Sequence, residues 1–307
     1  MTKVARKAQI EVEQILRHLA ERERGWSGCW KIQRLGQGDQ AHLFLGQIES
    51  KATADRLADE VVIKLYKHTS SEDRQAFLSE KRCLEDLRAA LQEIHCKDWS
   101  LRSPKLYYAC EDRLALVMST LPGVSLDRWL QSSQISLTTY SSVARAVLAA
   151  LQVLWSKEIM YGDLNLKNIL CDPTTLSLGF IDPGLPNELF RCDHVSRDGY
   201  PASRDLAYLL YSVAVSVKST LGSPASRCRQ LLFVNLLIRQ YVDSITSRSR
   251  QARLLEEIQH CTEAHLQSIK CDWSAPGLWR RLVKHITRSS LNTALAELAV
   301  ASQEAKL

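Results

Sequence analysis

Two carboxylates and one amide stand in the middle of the chain at spacings that could serve catalysis. Asp163 and Asn168 lie five residues apart in a polar loop, and Asp182 follows Asp163 by nineteen residues, at the end of an apolar segment. A carboxylate can orient a hydroxyl group, while an amide oxygen and a second carboxylate can hold Mg²⁺. This is the set that phosphoryl transfer needs, because positioning and charge neutralisation supply most of its catalysis. The same residue types are also common in ordinary turns and caps.

The segments that carry these side chains resemble two motifs of the protein-kinase-like superfamily. Residues 161–170 read YGDLNLKNIL, similar to the catalytic loop of that superfamily, and residues 181–184 read IDPG, similar to its metal-binding turn. The resemblance implies that Asp163 accepts or orients the proton of an acceptor hydroxyl. It also implies that Asn168 and Asp182 hold Mg²⁺.

A glycine-containing turn and a lysine within an apolar run fit the nucleotide-binding part of the same superfamily. Gly36 and Gly38 lie between two alternating segments, where backbone N–H groups can approach phosphates, although a plain β-hairpin turn has the same pattern. Lys64 lies within the apolar run 61–66, an unfavourable place for an ammonium unless it is paired or its head reaches solvent. The resemblance makes Gly36 and Gly38 part of the phosphate loop and Lys64 the ligand of the α- and β-phosphates.

A helix predicted over residues 71–92 carries the expected partner of this lysine. Glu80 stands sixteen residues after Lys64, and the resemblance makes the two an ion pair. Glu72 and Glu85 are the rival partners on the same helix.

Met118 ends a predicted strand that leads into residues 119–123. In the superfamily this segment links the two lobes and its backbone binds the adenine edge, so the resemblance places Met118 at the back of the nucleotide pocket. The alternative is that Met118 only packs in the core and lines no pocket.

The sequence departs from regulated protein kinases after the metal-binding turn. About 20 residues separate Gly184 from Asp205, and no Ala-Pro-Glu motif closes this segment. Gly162 replaces the arginine that usually precedes the catalytic aspartate, so a phosphate on the segment would lack its usual anchor. Asn165 stands where lysine is common. These features, with SRDLA at residues 203–207, are closer to the aminoglycoside, choline and lipopolysaccharide core kinases.

The remainder of the chain is helical in pattern and contains no catalytic motif. Asp205 opens an apolar helix, which we expect it to cap while bracing the catalytic loop, or to cap only. Residues 226–305 are expected to be helical throughout. Basic clusters within 248–253 and 280–284 are solvated faces or, alternatively, contacts for an anionic acceptor or for acidic lipids.

Length, charge and cysteine use narrow the class of protein. The 307 residues suffice for a two-lobed domain, and the net charge of +6 suits anionic ligands without demanding nucleic acid. No run of about 18 apolar residues stands out, and residues 1–24 lack the apolar core of a signal peptide. The nine cysteines are scattered singly, which favours a reducing compartment over a disulfide scaffold or a zinc site. We therefore expect a cytoplasmic protein.

Together these observations predict an α+β, bilobal protein-kinase-like fold with a small antiparallel β N-lobe and a larger helical C-lobe. The expected divisions are an N-terminal accessory helix over residues 1–28, the N-lobe over 29–121, and the C-lobe with a C-terminal helical extension over 122–307. The resemblance covers roughly residues 30–245 and implies ATP and Mg²⁺ as cofactors.

The expected reaction is transfer of the γ-phosphate of ATP to a hydroxyl of a small molecule, a sugar or a lipid-linked sugar. The first alternative is an atypical Ser/Thr protein kinase without a regulated activation loop. The second is a pseudokinase scaffold, which is disfavoured because every charged residue that the chemistry needs is present. The expected partners are ATP and a hydroxyl-bearing acceptor (small molecule, glycolipid or protein), with no nucleic acid and with peripheral membrane contact as an option.

Overall fold

The structure is a computed structural model in which two compact units are distinguished. It describes residues 3–22, 30–37, 41–48, 60–67, 70–94, 96–132, 135–184, 201–215, 224–268 and 296. The first unit comprises residues 1–88 and 103–121, and the second comprises residues 89–102 and 122–307.

Strands dominate the first unit and helices the second. The strands of the described residues are β1 (Trp30–Gln37), β2 (Ala41–Ile48), β3 (Glu60–Tyr66), β4 (Ser100–Arg102), β5 (Leu106–Cys110), β6 (Ala115–Ser119), β7 (Val124–Ser125), β8 (Ile169–Asp172) and β9 (Ser177–Phe180). Their helices are α1 (Lys3–Arg22), α2 (Ser71–Gln92), α3 (Leu126–Trp129), α4 (Leu137–Ser156), α5 (Pro201–Val215), α6 (Pro224–Ser244) and α7 (Arg248–Ser268). This order of an antiparallel sheet followed by helices confirms the predicted α+β fold.

The first unit is built on a five-stranded antiparallel sheet in the order β1-β2-β3-β6-β5. Successive side chains of a strand point to opposite faces, so β3 contributes to two separate cores. Its odd-numbered residues enter a core shared with α1, whereas Val62 and Tyr66 join a cluster that contains Phe77 of α2. Lys64 lies between Val62 and Tyr66 and therefore faces α2.

The helix α1 lies on the other face of this sheet because it has an apolar stripe. Val12, Ile15, Leu16 and Leu19 recur at the three- and four-residue spacing of one helical face, and all are buried. Arg113, in the β5–β6 turn, attaches to α1 by donating to the side-chain oxygen of Gln14 over 2.6 Å.

The second unit contains a four-stranded sheet in the order β4-β9-β8-β7. The β8–β9 hairpin pairs Ile169 with Phe180, so the residues just outside this pair, Asn168 and Ile181, are neighbours. The sequence pattern predicts this hairpin but not β4, which pairs with β9 in parallel through only three residues. A segment so short has no readable periodicity.

The helix α4 is the central apolar helix of the second unit. Among the described residues it is the one helix that is long and apolar enough to cross a membrane, although half of its most apolar window is buried within the fold. Its Trp155 packs against Tyr241 of α6 with ring centroids 4.9 Å apart, and Ser141 accepts from Gln240 of the same helix over 3.2 Å. These contacts are those of a core helix, since a buried helix passes the same length and composition test.

Several predicted features fall outside the described residues. They are Gly38, the part of the expected helical region 226–305 that follows residue 268 (except residue 296), and the basic cluster within 280–284.

Gly123 provides a test of the packing around β8. Its φ is +106°, and a Cβ there would lie 2.6 Å from the carbonyl oxygen of Cys171. We expect Gly123→Ala to lower the free energy of unfolding by about 2–4 kcal/mol, because strain at positive φ adds to overpacking against a strand backbone. Gly36→Ala is the matched control, since a Cβ at Gly36 meets nothing within 4 Å. Equal unfolding free energies for the two variants in urea titrations would contradict this account.

Candidate active site

In the first unit, Lys64 and Glu80 form a buried ion pair. Lys64 Nζ lies 2.6 Å from Glu80 Oε2, and the two side chains are 11% and 6% exposed. The strand β3 presents Lys64 on the α2 face of the sheet, and α2 carries Glu80 to meet it. Of the three glutamates considered on α2, Glu80 is the one brought to Lys64, and each charge compensates the desolvation of the other.

Tyr66 is a third member of this group, and sequence reasoning missed it. Its hydroxyl donates to Glu80 Oε2, the oxygen that also meets Lys64. The Lys64 ammonium lies 5.5 Å from the centroid of the Tyr66 ring, within the range of a cation–π contact. The available signal was the two-residue spacing from Lys64, which places both side chains on one face of β3.

Gly36 occupies a strand and not the turn that was predicted for it. The strand β1 continues through Gln37, and Gly36 is paired with Leu43 of β2 after a register shift that follows Arg34. The predicted turn was placed too early because glycine also occurs at such irregularities in a strand. The phosphate-binding role of Gly36 stays a prediction, as does that of Gly38.

Met118 lies in the core on the same face of the sheet as Lys64. It is 7% exposed, is paired with Val62 of β3, and belongs to the cluster that contains Phe77 of α2. Core packing thus accounts for its burial, and a role in lining a nucleotide pocket stays a prediction.

In the second unit, two asparagine amides hold the Asp163 carboxylate. Asn168 Nδ2 donates to Asp163 Oδ2 over 2.9 Å, and Asn165 Nδ2 donates to Asp163 Oδ1 over 3.1 Å. Asn165 Oδ1 also accepts from the backbone N–H of Lys167, so this side chain shapes the loop as well as binding the carboxylate. Asn165 therefore has a structural part in the site, which its position two residues after Asp163 could have indicated.

The turn that contains Asp182 is bonded to the catalytic loop through both backbone groups of Ile181. The backbone N–H of Ile181 donates to the carbonyl oxygen of Asn168 over 2.9 Å, and the hydroxyl of Tyr161 donates to the carbonyl oxygen of Ile181. Asp182 itself is exposed and has a φ of +55°, a conformation that non-glycine residues rarely adopt. These bonds place Asp182 and Asn168 in adjoining segments.

Oxygen atoms of these two segments suit a magnesium ion. The amide nitrogen of Asn168 faces Asp163, which turns the amide oxygen away from Asp163. Together with the Asp182 carboxylate, this oxygen provides the hard ligands that Mg²⁺ prefers, and such sites are usually completed by phosphates and water. No cluster of three or more His, Cys, Asp or Glu side chains fit to hold a metal occurs among the described residues.

Asp205 binds the start of the catalytic loop. Its Oδ1 accepts from the N–H of Gly162 over 2.9 Å, and its Oδ2 accepts from the N–H of Tyr161 over 2.9 Å and from Trp155 Nε1 over 2.8 Å. The expectation that Asp205 caps its own helix is wrong, because α5 already includes Pro201 and Asp205 follows its first turn. The expected bracing of the loop is what the hydrogen bonds provide.

Burial and hydrogen bonding act in opposite directions on the Asp163 carboxyl. Burial raises its pKa, and the nearby Asp182 charge adds to the rise, whereas hydrogen bonds from Tyr208, Asn165 and Asn168 oppose it. Burial also raises the pKa of the Tyr208 phenol, next to the Asp163 charge. Tyr208 is therefore a neutral donor to Asp163, and sequence reasoning missed it because α5 lies far along the chain.

The basic cluster within residues 248–253 lies at the start of α7. Arg253 is paired with Glu257 one turn further on, with Nε 3.1 Å from Oε1. This pair is typical of a solvated helix face.

Asp205→Asn tests the bracing of the loop. Burial raises the pKa of Asp205 to about 6, and an amide leaves at least one of the three N–H donors facing an NH₂ group. We expect the free energy of unfolding to fall by about 1–3 kcal/mol. Because the folded state binds this proton more tightly than the unfolded state, the Asp205 contribution is largest below about pH 4 and declines as the pH rises to about 6.

The advantage of wild type over Asp205→Asn should therefore shrink between pH 4 and pH 6 in urea titrations, with exposed Asp112→Asn as the control. An advantage that grows with pH over this interval would contradict the assignment.

Comparison with known families finds one match that spans parts of both units. The model of the protein kinase domain matches residues 30–202, more than half of the 307-residue chain, and this span contains Lys64, Glu80, Asp163, Asn168 and Asp182. It gives no support for the aminoglycoside, choline or lipopolysaccharide core kinase subgroups expected from the loop. A comparison with curated proteins gives no significant match. The chain belongs to the protein kinase domain family, and kinase, transferase and ATP binding describe its class.

Proposed function

We propose that this protein transfers the γ-phosphate of ATP to a hydroxyl group of a protein acceptor. The match to the protein kinase domain favours this acceptor class over the small molecule or sugar expected from the loop. The observation that carries the proposal is the Asp163 carboxylate, held by the amides of Asn165 and Asn168 next to the turn that bears Asp182.

In the proposed reaction, separate side chains bind the phosphates, hold the metal ion and accept the proton. Lys64, held by Glu80, contacts the α- and β-phosphates of ATP. Asn168 and Asp182 would hold Mg²⁺, which when bound neutralises charge on the phosphates. The acceptor oxygen forms a bond to the γ-phosphorus as the bond to the bridging oxygen of ADP breaks, and Asp163 takes up the hydroxyl proton.

A small-molecule or glycolipid acceptor is the second candidate, and Gly162 is compatible with it as well as with a protein kinase that lacks phosphate regulation. This residue has a φ of +85° and donates its N–H to Asp205, so an arginine there would need strained backbone. Activation through a phosphate bound to that arginine is therefore not a device of this chain. Small-molecule kinases and unregulated protein kinases share this property, and transfer to an acceptor distinguishes them.

We also propose a cytoplasmic location. Cys83, Cys96, Cys110 and Cys171 are free thiols, in keeping with a reducing compartment.

The acceptor class is tested by adding the protein, Mg²⁺ and ATP labelled in the γ-phosphate to whole lysate. The lysate is then fractionated into protein, lipid and small metabolites. We expect label in the protein fraction. Asp163→Ala should lower transfer roughly 10²–10⁴-fold, the usual contribution of a general base, while Mg-ATP still raises the melting temperature.

Each alternative has its own outcome in this assay. Label confined to lipid or metabolites would support the second candidate, and unchanged turnover in Asp163→Ala would remove Asp163 from its role. A wild-type protein with neither a thermal shift nor hydrolysis of Mg-ATP would be a scaffold.

Tyr208→Phe tests the environment of the proposed base. The hydrogen bond from Tyr208 lowers the pKa of Asp163, so losing the hydroxyl should raise that pKa further. The acid limb of the pH–rate profile for phosphate transfer should then move to higher pH, because the carboxylate form is the one that accepts the proton. Tyr241→Phe, a change on α6, is the control, and an acid limb that moves to lower pH in Tyr208→Phe would be the opposite of this expectation.

A further inference from the structure

One oxygen of Glu80 serves two donors from the same strand. Oε2 accepts from Lys64 Nζ over 2.6 Å and from the hydroxyl of Tyr66. Glu80 is 5% exposed as a whole residue, so its negative charge is held by protein groups more than by bulk water.

A lysine that binds phosphates must share its ammonium protons with them. As Lys64 turns towards phosphate oxygens, its attraction for Glu80 is divided, and a buried carboxylate then loses part of its compensation. The Tyr66 hydroxyl donates to the same oxygen but is neutral, so it lacks the positive charge that attracts Lys64 to the phosphates. It can therefore keep Glu80 in place while Lys64 serves the nucleotide.

Tyr66 is fixed by the sheet and by α2. Its backbone N–H donates to the carbonyl oxygen of Leu114 over 3.0 Å, and its ring meets the edge of Phe77 at a centroid distance of 5.9 Å and an angle of 83°. Because the Tyr66 ring is already packed, its hydroxyl loses little conformational freedom by donating to Glu80.

We propose that Tyr66 is a positioning residue for nucleotide binding, whose hydroxyl holds Glu80 in the orientation that presents Lys64 to the phosphates. This inference rests on the proposed function and deepens it. The ion pair is then assembled by groups within the first unit, without a phosphate on the segment after the metal-binding turn, which agrees with the missing arginine before Asp163.

Tyr66→Phe removes the hydroxyl and keeps the ring on Phe77 and beneath Lys64. We expect Mg-ATP to bind roughly tenfold more weakly in calorimetric titration, the usual effect of losing one hydrogen bond to a charged group. Tyr140→Phe is the matched control, because Tyr140 is also 4% exposed and its hydroxyl donates to a backbone oxygen, that of Leu130, over 3.3 Å. Its affinity for Mg-ATP should stay within about twofold of wild type, the change expected for a site away from the ligand.

A double-mutant cycle separates positioning from packing. If Tyr66 acts through Glu80, Tyr66→Phe should change Mg-ATP affinity by less than about twofold in a Glu80→Ala background, because that background has no acceptor for the Tyr66 hydroxyl. A merely structural role would instead lower the unfolding midpoint and leave the tenfold loss in place in that background.

The outcomes are distinct for this inference and for the proposed function. Equal Mg-ATP affinities of Tyr66→Phe and Tyr140→Phe, or a full loss retained beside Glu80→Ala, would overturn the role of Tyr66 alone. A wild-type protein that binds no Mg-ATP would overturn both.

Discussion

A carboxylate with no access to water organises the centre of the second unit. Asp205 accepts hydrogen bonds from the backbone of Tyr161 and Gly162 and from the indole of Trp155. A buried carboxylate is tolerated only when donors surround it, so the loop and α4 must hold their positions for Asp205 to remain buried. Burial raises its pKa to about 6, because these hydrogen bonds offset only part of the free-energy cost of removing the charge from water.

A short series of hydrogen bonds connects Asp205 to the proposed metal ligands. Tyr161, held at its N–H by Asp205, donates its hydroxyl to the carbonyl oxygen of Ile181. Ile181 donates to Asn168, whose amide in turn holds Asp163. The backbone strain at Asp182 is sustained because its neighbour Ile181 is fixed on both sides. Hydrogen bonds thus connect the loop and the turn continuously, an arrangement that suits catalysis by positioning.

The first unit also contains buried charges, those of Lys64 and Glu80. Here the two buried charges neutralise each other, and the hydroxyl of Tyr66 adds a donor that carries no charge. Both units therefore keep carboxylates out of water by surrounding them with hydrogen-bond donors. Donors that are already in place before a ligand binds are the basis of electrostatic preorganisation.

The amino-acid sequence by itself determined the elements with strong local periodicity: the helix over residues 71–92, the strand that carries Lys64, and the β8–β9 hairpin. It also indicated Glu80 and the pairing of the loop with the Asp182 turn, through spacing and resemblance. Only the tertiary structure decided that Asp205 braces the loop without capping its helix, that β4 joins β9, and that Tyr208 meets Asp163. These contacts join segments tens of residues apart, and a side-chain hydrogen bond between distant segments leaves no periodic trace in either one.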